Sequence, residues 1–391
     1  MYFQTLDDKT ECVGVYADGQ LQFDKIPQDL SRTWRYTGSI VDPDIEYAWL
    51  YANGARLEQV CPEDLRERLE ASQKRFRAYR KSFEIGRIDL REHCFFDLVP
   101  ESFLKEFCEI KNQVTEYVFD NYEKPLNYNL LSDFEKLLHK IRYQNLNLNK
   151  EGCRQLYVSS VGRRKANELM KSHYFIDYNL FGTVTGRLTT RPKSFPILTL
   201  KKEFRKLIKP HNDWLISLDY NGAEVRTLLH LSGHQQPKVD IHEWNVKHLF
   251  DNEVDRDTAK TLFFGWLYNP ESDAIQTKYY NREKVLDKWY DGGYISTPFK
   301  RKIKVDERRA LNYLIQSTTS DRVLERAVKI DEFLQNKKSF ISHIVHDEIV
   351  IDLSDEDRHE LPWIKQIFEN DNFMANMQAG KNYLDLEKLK I

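Results

Sequence analysis

Apolar residues alternate with polar ones through roughly the first 60 positions, and Asp18-Gly19 and Asn53-Gly54 carry the chemistry of tight hairpin turns. Residues 1–60 are therefore expected to form a small β-rich unit. From Pro62 the period lengthens, with Leu65, Leu69, Phe76, Tyr79 and Phe83 at helical spacings and Arg66, Arg75, Arg77, Arg80 and Lys81 between them. That pattern predicts an amphipathic helix with a basic outer face. A second helix is expected through Phe103, Phe107, Ile110, Val114 and Val118. A third is expected from Ser132, where Glu135 would complete a capping box ahead of Leu137, Leu138 and Ile141. Farther along, the apolar stretch 214–218 ends at Asp219, turns through Tyr220-Asn221-Gly222 and continues helically with Val225, Leu228, Leu229 and Leu231. The run 340–352 reads as two apolar strands with Asp347 and Glu348 at their tip.

Composition sets the scale. The 391 residues are 41% hydrophobic and 13% aromatic, enough for a large core and for two or three structural units. Cys12, Cys61, Cys94, Cys108 and Cys153 are odd in number, scattered and never paired as CxxC, which points to buried thiols in a reducing compartment. The first residues lack a cationic segment leading into an apolar one, and no apolar run reaches about 18 residues. The expectation is a soluble, cytoplasmic monomer with no membrane partner. A net charge of −2 argues against coating of nucleic acid by bulk positive charge. Basic patches at 201–209 and 163–165 still offer local phosphate contacts, or simply solvated helix faces.

Two strand-end aspartates, Asp219 and Asp347, are what a pair of Mg²⁺ ions needs for phosphoryl transfer. Asp219 alone also suits a helix N-cap. Between them, Arg256, Lys260, Phe264 and Tyr268 are each four residues apart, so on a helix they share one face, cationic at one end and aromatic at the other. Such a face can hold a triphosphate by its charges and a sugar and base by its rings, although an aromatic stripe at this spacing also suits a core. Arg308, Asn312 and Gln316 fall on one face of a further helix, where amides can meet minor-groove acceptors shared by all base pairs.

Together these segments resemble the family A DNA polymerases, the class of bacterial DNA polymerase I. Residues 219–226, Asp-Tyr-Asn-Gly-Ala-Glu-Val-Arg, followed by His230-Leu231-Ser232-Gly233, resemble the family's motif A. The RxxxKxxxFGxxY pattern from Arg256 to Tyr268 resembles its nucleotide-binding fingers helix, and His346-Asp347-Glu348 its motif C. Thr185-Gly186-Arg187-Leu188-Thr189-Thr190, Asp240-Ile241-His242 and the segment 308–321 resemble three more family elements, all in family order over about 173–391.

The resemblance implies an α+β right-hand polymerase: a palm with an antiparallel sheet, helical fingers and a helical thumb. Its expected layout is a β-rich unit at 1–60, a thumb-like region at 61–172, and a palm at 173–391 with fingers at about 234–292. It implies template-directed DNA synthesis with two Mg²⁺ ions, replaceable by Mn²⁺, and primer-template DNA and dNTPs as partners. Asp219, Asp347 and Tyr220 would be metal ligands, and Asp219, Asp347, Glu348 and Lys260 the catalytic set. His242, Arg256, Lys260, Phe264, Tyr268 and Glu224 would bind the nucleotide, with Glu224 excluding a ribose 2′-hydroxyl. Phe264, where some relatives carry Tyr, implies poor use of dideoxynucleotides. Arg187, Arg308, Asn312, Gln316 and His346 would contact DNA.

This chain departs from the family pattern at several positions. Gly222 stands where many relatives have Gln, Ser317 replaces a Gly, Asn269 follows Tyr268 where Gly is usual, and 268–293 is short, implying trimmed fingers. About 60 residues before the helical region leave no room for the family's proofreading domain, so no 3′-5′ editing is expected, and a separate exonuclease or a clamp becomes a candidate partner. Rival readings are a catalytically silent polymerase-like subunit, a single-subunit RNA polymerase or primase-like enzyme, which Glu224 disfavours, and a phosphohydrolase, which leaves the cationic-aromatic helix unexplained. A zinc site at His343 and His346 is disfavoured because residues three apart on a strand face opposite ways.

Overall fold

A computed structural model describes the chain except residues 9, 10, 24, 91, 92, 172, 173, 270, 273, 274, 276, 278, 390 and 391. The chain divides into two compact units, Met1–Tyr143 and Gln144–Ile391.

In the first unit, β1 (Phe3–Asp8), β2 (Glu11–Ala17) and β3 (Gln20–Gln22) form an antiparallel three-stranded sheet. Asp18 and Gly19, at φ of 49° and 72°, close the β2–β3 hairpin as their sequence predicts. Asn53 and Gly54 have the same left-handed geometry, at φ of 49° and 77°, but they end a helical turn instead of a hairpin. There the Gly54 amide donates to the Trp49 carbonyl at 2.9 Å. A C-terminal helix stop and a hairpin both demand positive φ, so the dipeptide alone does not distinguish them.

Three long helices follow: α1 (Glu63–Ile85), α2 (Glu101–Asn121) and α3 (Tyr128–Arg142). On α2 the buried residues Phe103, Ile110, Val114 and Val118 recur at helical spacing. Helix α3 begins four residues before the expected Ser132, after Asn127, so Ser132 and Glu135 lie inside it and form no capping box. Glu135 is buried and pairs with Arg35 at 2.8 Å.

The boundaries expected at 60 and 172 differ from the observed division. Leu6 and Tyr16 of the sheet are buried in one cluster with Cys108 of α2, which joins the β-rich segment to the helices. Residues after 143 join the second unit, where the Leu146 amide donates to the Tyr174 carbonyl at 2.5 Å and strand 147–148 pairs with 208–209.

His139 of α3 accepts a hydrogen bond from the Gly38 amide at 3.2 Å and packs edge-on against Tyr36. Burial, with smaller contributions from Arg142 and Arg35, pulls its pKa down to about 4 from an ordinary value near 6.5. The folded state therefore binds fewer protons than the unfolded state between those values. Stability should be fully present above pH 6.5 and fall as pH drops through 4, a slope that His139→Gln should flatten in denaturant titrations across this range.

The second unit is built on a five-stranded antiparallel sheet. Strand β4 (Trp214–Tyr220) lies at its centre and leads into α4 (Ala223–Leu231), α5 (Ile241–Leu249), α6 (Arg256–Tyr268) and α7 (Arg282–Trp289). The long α8 (Glu307–Phe333) then returns the chain to β5 (Phe340–Val345) and β6 (Glu348–Leu353), which α9 (Leu361–Phe368), β7 (Ala375–Gly380) and β8 (Glu387–Lys388) complete. The strand order is β5-β6-β4-β7-β8. Leu215, Ile216 and Leu218 are buried on β4, which has a hydrogen-bonded neighbour on each side. Helices α4 to α8 share a core that includes Leu228, Ile241, Phe263, Trp266 and Leu314. No helix among the described residues is long and apolar enough to cross a membrane.

Candidate active site

Asp219 is the penultimate residue of β4, with Glu348 of β6 and Asn376 of β7 as its cross-strand partners. Opposed residues of an antiparallel ladder show their side chains on one face. Asp347 occupies the turn between β5 and β6, just after His346, whose φ is 57°. Both aspartates line a cleft of about 440 Å³ with Arg187, Glu224, His242, Arg256, Lys260 and Phe264.

Burial first, then the charges of Asp347 and Glu348, push the Asp219 carboxyl up to about 7, while Lys260 opposes them. Crowded acids of this kind gain most when a divalent cation enters among them. The donor set fits Mg²⁺, a hard ion that favours oxygen and is held by one or two carboxylates with phosphates and waters supplying the rest. Among the described residues no group of three or more His, Cys, Asp and Glu side chains is gathered to hold a metal by itself.

Two expected participants are otherwise engaged. Glu348 accepts hydrogen bonds from the Ser217 hydroxyl at 2.5 Å and the Tyr383 phenol at 2.6 Å, so it bears on the cleft through its charge. The Tyr220 phenol donates to the Phe368 carbonyl at 2.7 Å, and its ring stacks on Phe368 at 4.1 Å. Its side chain is thus not a metal ligand: alternation along β4 turns it away from the face that carries Asp219. The HxxH pair is also separated in environment. His343 is fully buried against Tyr383, with its pKa pushed down to about 3 by burial, whereas His346 is exposed at the turn.

Helix α6 is preceded by its N-cap Asp255, whose carboxylate accepts from the Thr258 amide at 2.7 Å. Ala259, Phe263, Trp266 and Leu267 are its buried side, leaving Arg256, Lys260 and Phe264 to the cleft. Arg256 makes a forked ion pair with Asp240, through Nε at 3.2 Å and its terminal nitrogen at 2.7 Å. His242 is buried with Nδ1 lacking a partner among the described residues, and burial pulls its pKa down to about 4, so it is neutral at pH 7. Phe264 and Tyr268 stack at 5.9 Å with an interplanar angle of 11°. Glu224 accepts from the Tyr268 phenol and pairs with Arg187 at 2.5 Å.

On α8, Gln316 donates to Asn312 at 2.9 Å. Arg308 and Asn312 line a second cleft of about 1110 Å³ together with Tyr268, whereas Arg187 and His346 line the first. Of the five residues expected to contact DNA, two therefore line the cleft that Phe264 borders and two the cleft that Tyr268 borders, while Gln316 is bonded to Asn312. Asp321, also on α8, forms a buried forked pair with Arg301 at 2.7 and 2.9 Å. Neither this pair nor the hydrogen bonds of Asn221, Arg226 and Tyr383 had a readable signal in residue spacing.

No protein-family model matches the chain. DNA polymerase I of Thermus filiformis is 27% identical to it over 246 residues, 49% of this chain and 30% of that protein. DNA polymerase I of Synechocystis sp. is 22% identical over 305 residues, 59% of this chain and 30% of that protein. The chain resembles family A DNA polymerases. A solved structure described as the POL domain of Pol1 from M. smegmatis, in complex with DNA primer-template and dNTP, matches with a TM-score of 0.56 at 14% identity, covering 72% of this chain and 76% of that one. This likeness shows an α+β polymerase-domain fold. The chain spans under a third of the length of the polymerase I relatives it matches.

Proposed function

We propose that the chain is a template-directed DNA polymerase that adds dNTPs to a primer 3′-hydroxyl. The observation that carries this reading is the sharing of one cleft by Asp219 and Asp347 with His242, Arg256, Lys260 and Phe264. Acids suited to divalent cations thus face a row of groups suited to a triphosphate and its sugar. The likeness to DNA polymerase I and to a polymerase domain described with primer-template and dNTP supports it.

Two Mg²⁺ ions, or Mn²⁺ in their place, held by Asp219, Asp347 and the backbone carbonyl of Tyr220, would acidify the primer hydroxyl and stabilise the leaving pyrophosphate. Arg256 and Lys260 would grip the triphosphate, and neutral His242 would donate to it without adding charge. Lys260 would also return a proton to pyrophosphate. Phe264 would pack on the sugar and Tyr268 would border the templating base. Arg187, Arg308, Asn312, Gln316 and His346 would track the duplex through groups common to all base pairs.

The test is extension of a labelled primer-template by the purified chain with Mg²⁺ and dNTPs. Template-dependent extension is expected, and none with either Mg²⁺ or Mn²⁺ would overturn the reading. No 3′-5′ editing is assigned to these residues; degradation of a mispaired primer by the chain would refute that part.

Glu224 is held between Arg187 and Tyr268, and its carboxylate would occupy the room that a 2′-hydroxyl needs. Glu224→Ala should raise ribonucleotide incorporation relative to dNTPs by at least about tenfold in single-nucleotide kinetics. An unchanged ratio would remove Glu224 from the selection of the sugar.

A further inference from the structure

The turn that follows Asp219 is tied to the nucleotide-gripping groups through one side chain. Asn221 is 7% exposed. Its carboxamide nitrogen donates to Asp240 at 2.7 Å, and its carbonyl oxygen accepts from the Ile241 amide at 2.8 Å and Arg226 at 3.2 Å. Asp240 in turn accepts from the backbone amides of His242 and Glu243 at 2.9 and 3.1 Å while holding the guanidinium of Arg256. One carboxylate therefore gathers Asn221, the start of α5 and Arg256.

Two neighbours brace the same junction. The fully buried Arg226 donates to the carbonyls of Asn221, Pro237 and Val239 at 2.7, 3.0 and 2.8 Å, which fixes the approach to Asp240. Gly222 has a φ of 69°, and a Cβ there would stand 2.5 Å from Ile241 Cγ2, so the start of α5 rests directly on the turn. A larger residue would push the two apart.

We propose that Asn221 is a positioning residue for nucleotide binding: through Asp240 it holds Arg256 and His242 at a set distance from the metal-binding turn. The inference rests on the polymerase reading. Arg256 is 41% exposed, and an exposed ion pair holds such a side chain weakly by itself. Asn221 neutralises none of the charge on Asp240 but orients it, so that the guanidinium is already arranged when a triphosphate arrives. Groups ordered in advance add to affinity because binding need not order them. The side-chain hydrogen bonds of Asn221 go to Asp240, Ile241 and Arg226 and not to Asp219 or Asp347, so its loss should weaken dNTP binding more than it slows chemistry at saturation.

Single-nucleotide primer extension by the purified chain tests this. Asn221→Ala should raise the dNTP KM at least about tenfold, the change expected on losing a hydrogen bond to a charged group, with a smaller change in kcat. Affinity for primer-template should stay as in the parent. Asn221→Asp keeps the size and the acceptor for Ile241 and Arg226 but opposes Asp240 with a second carboxylate, and should raise KM likewise. Asp240→Ala should match Asn221→Ala, and the double substitution should be no worse than Asp240→Ala alone within about twofold, because both act through one path. Multiplicative effects, or a parental KM in either Asn221 variant, would overturn the proposal while leaving the polymerase reading intact. Absence of extension by the parent chain would instead overturn the reading, and the proposal with it.

Discussion

Asp347→Asn should lower the rate of primer extension by at least about 10³-fold, corresponding to about 4 kcal/mol of lost transition-state stabilisation. The side chain stands in the β5–β6 turn, in the cleft that holds Asp219 and the cationic face of α6. Asparagine preserves the size of the side chain but not its charge, so it cannot balance a divalent cation. The fold should survive, because the substitution removes one of the charges that crowd Asp219. Melting temperature without metal should hold or rise while extension collapses. Extension within about tenfold of the parent would show that Asp347 binds no catalytic metal, and the same measurement on Asp219→Asn provides an independent check.

The second large effect concerns stability. Asp321→Ala should destabilise the second unit by about 3–5 kcal/mol, because it leaves the Arg301 guanidinium buried without its carboxylate. For a unit of this size the melting temperature should fall by roughly 10 °C, readable by calorimetry. The double substitution Arg301→Met with Asp321→Leu should recover much of the loss, since no unpaired charge then remains inside. A fall of under about 2 °C in the single variant would mean that water reaches Arg301.

This pair also bears on the candidate site. Gly186 has a φ of 77°, and a Cβ there would meet the Arg301 guanidinium at 2.8 Å. Ser320 donates to the Gly186 carbonyl at 2.9 Å. The turn that presents Arg187 to Glu224 thus rests on the buried pair. Asp321→Ala should therefore also disturb Arg187, although Asp321 itself does not line the cleft.

Much of the cleft was legible in the sequence because its groups lie on single elements. The four-residue spacing of Arg256, Lys260 and Phe264 needed only a helix to set them on one side, and α6 spans all three. Asp219 at the end of an apolar strand and Asp347 at a strand-pair tip needed only β4 and the β5–β6 turn. Where local chemistry had two uses, the sequence was ambiguous. Asn53-Gly54 suits a hairpin or a helix stop, and Ser132 with Glu135 suits a cap or, as found, a helix interior with Glu135 paired to Arg35. The first depended on what preceded the turn, the second on a partner 100 residues away.

Periodicity and turn chemistry, which act between near neighbours in the chain, determined the elements and the residues each could offer. Tertiary structure alone decided which offers met. The β4–β6 register sets Asp219 opposite Glu348, Ser217 and Tyr383 claim the Glu348 oxygens, and Phe368 takes the Tyr220 phenol. Asp240 joins Asn221 to Arg256 in the same way. Such pairs depend on strand register and on the packing of helices distant in sequence, where a shift of one residue would exchange every partner, so no local pattern could specify them.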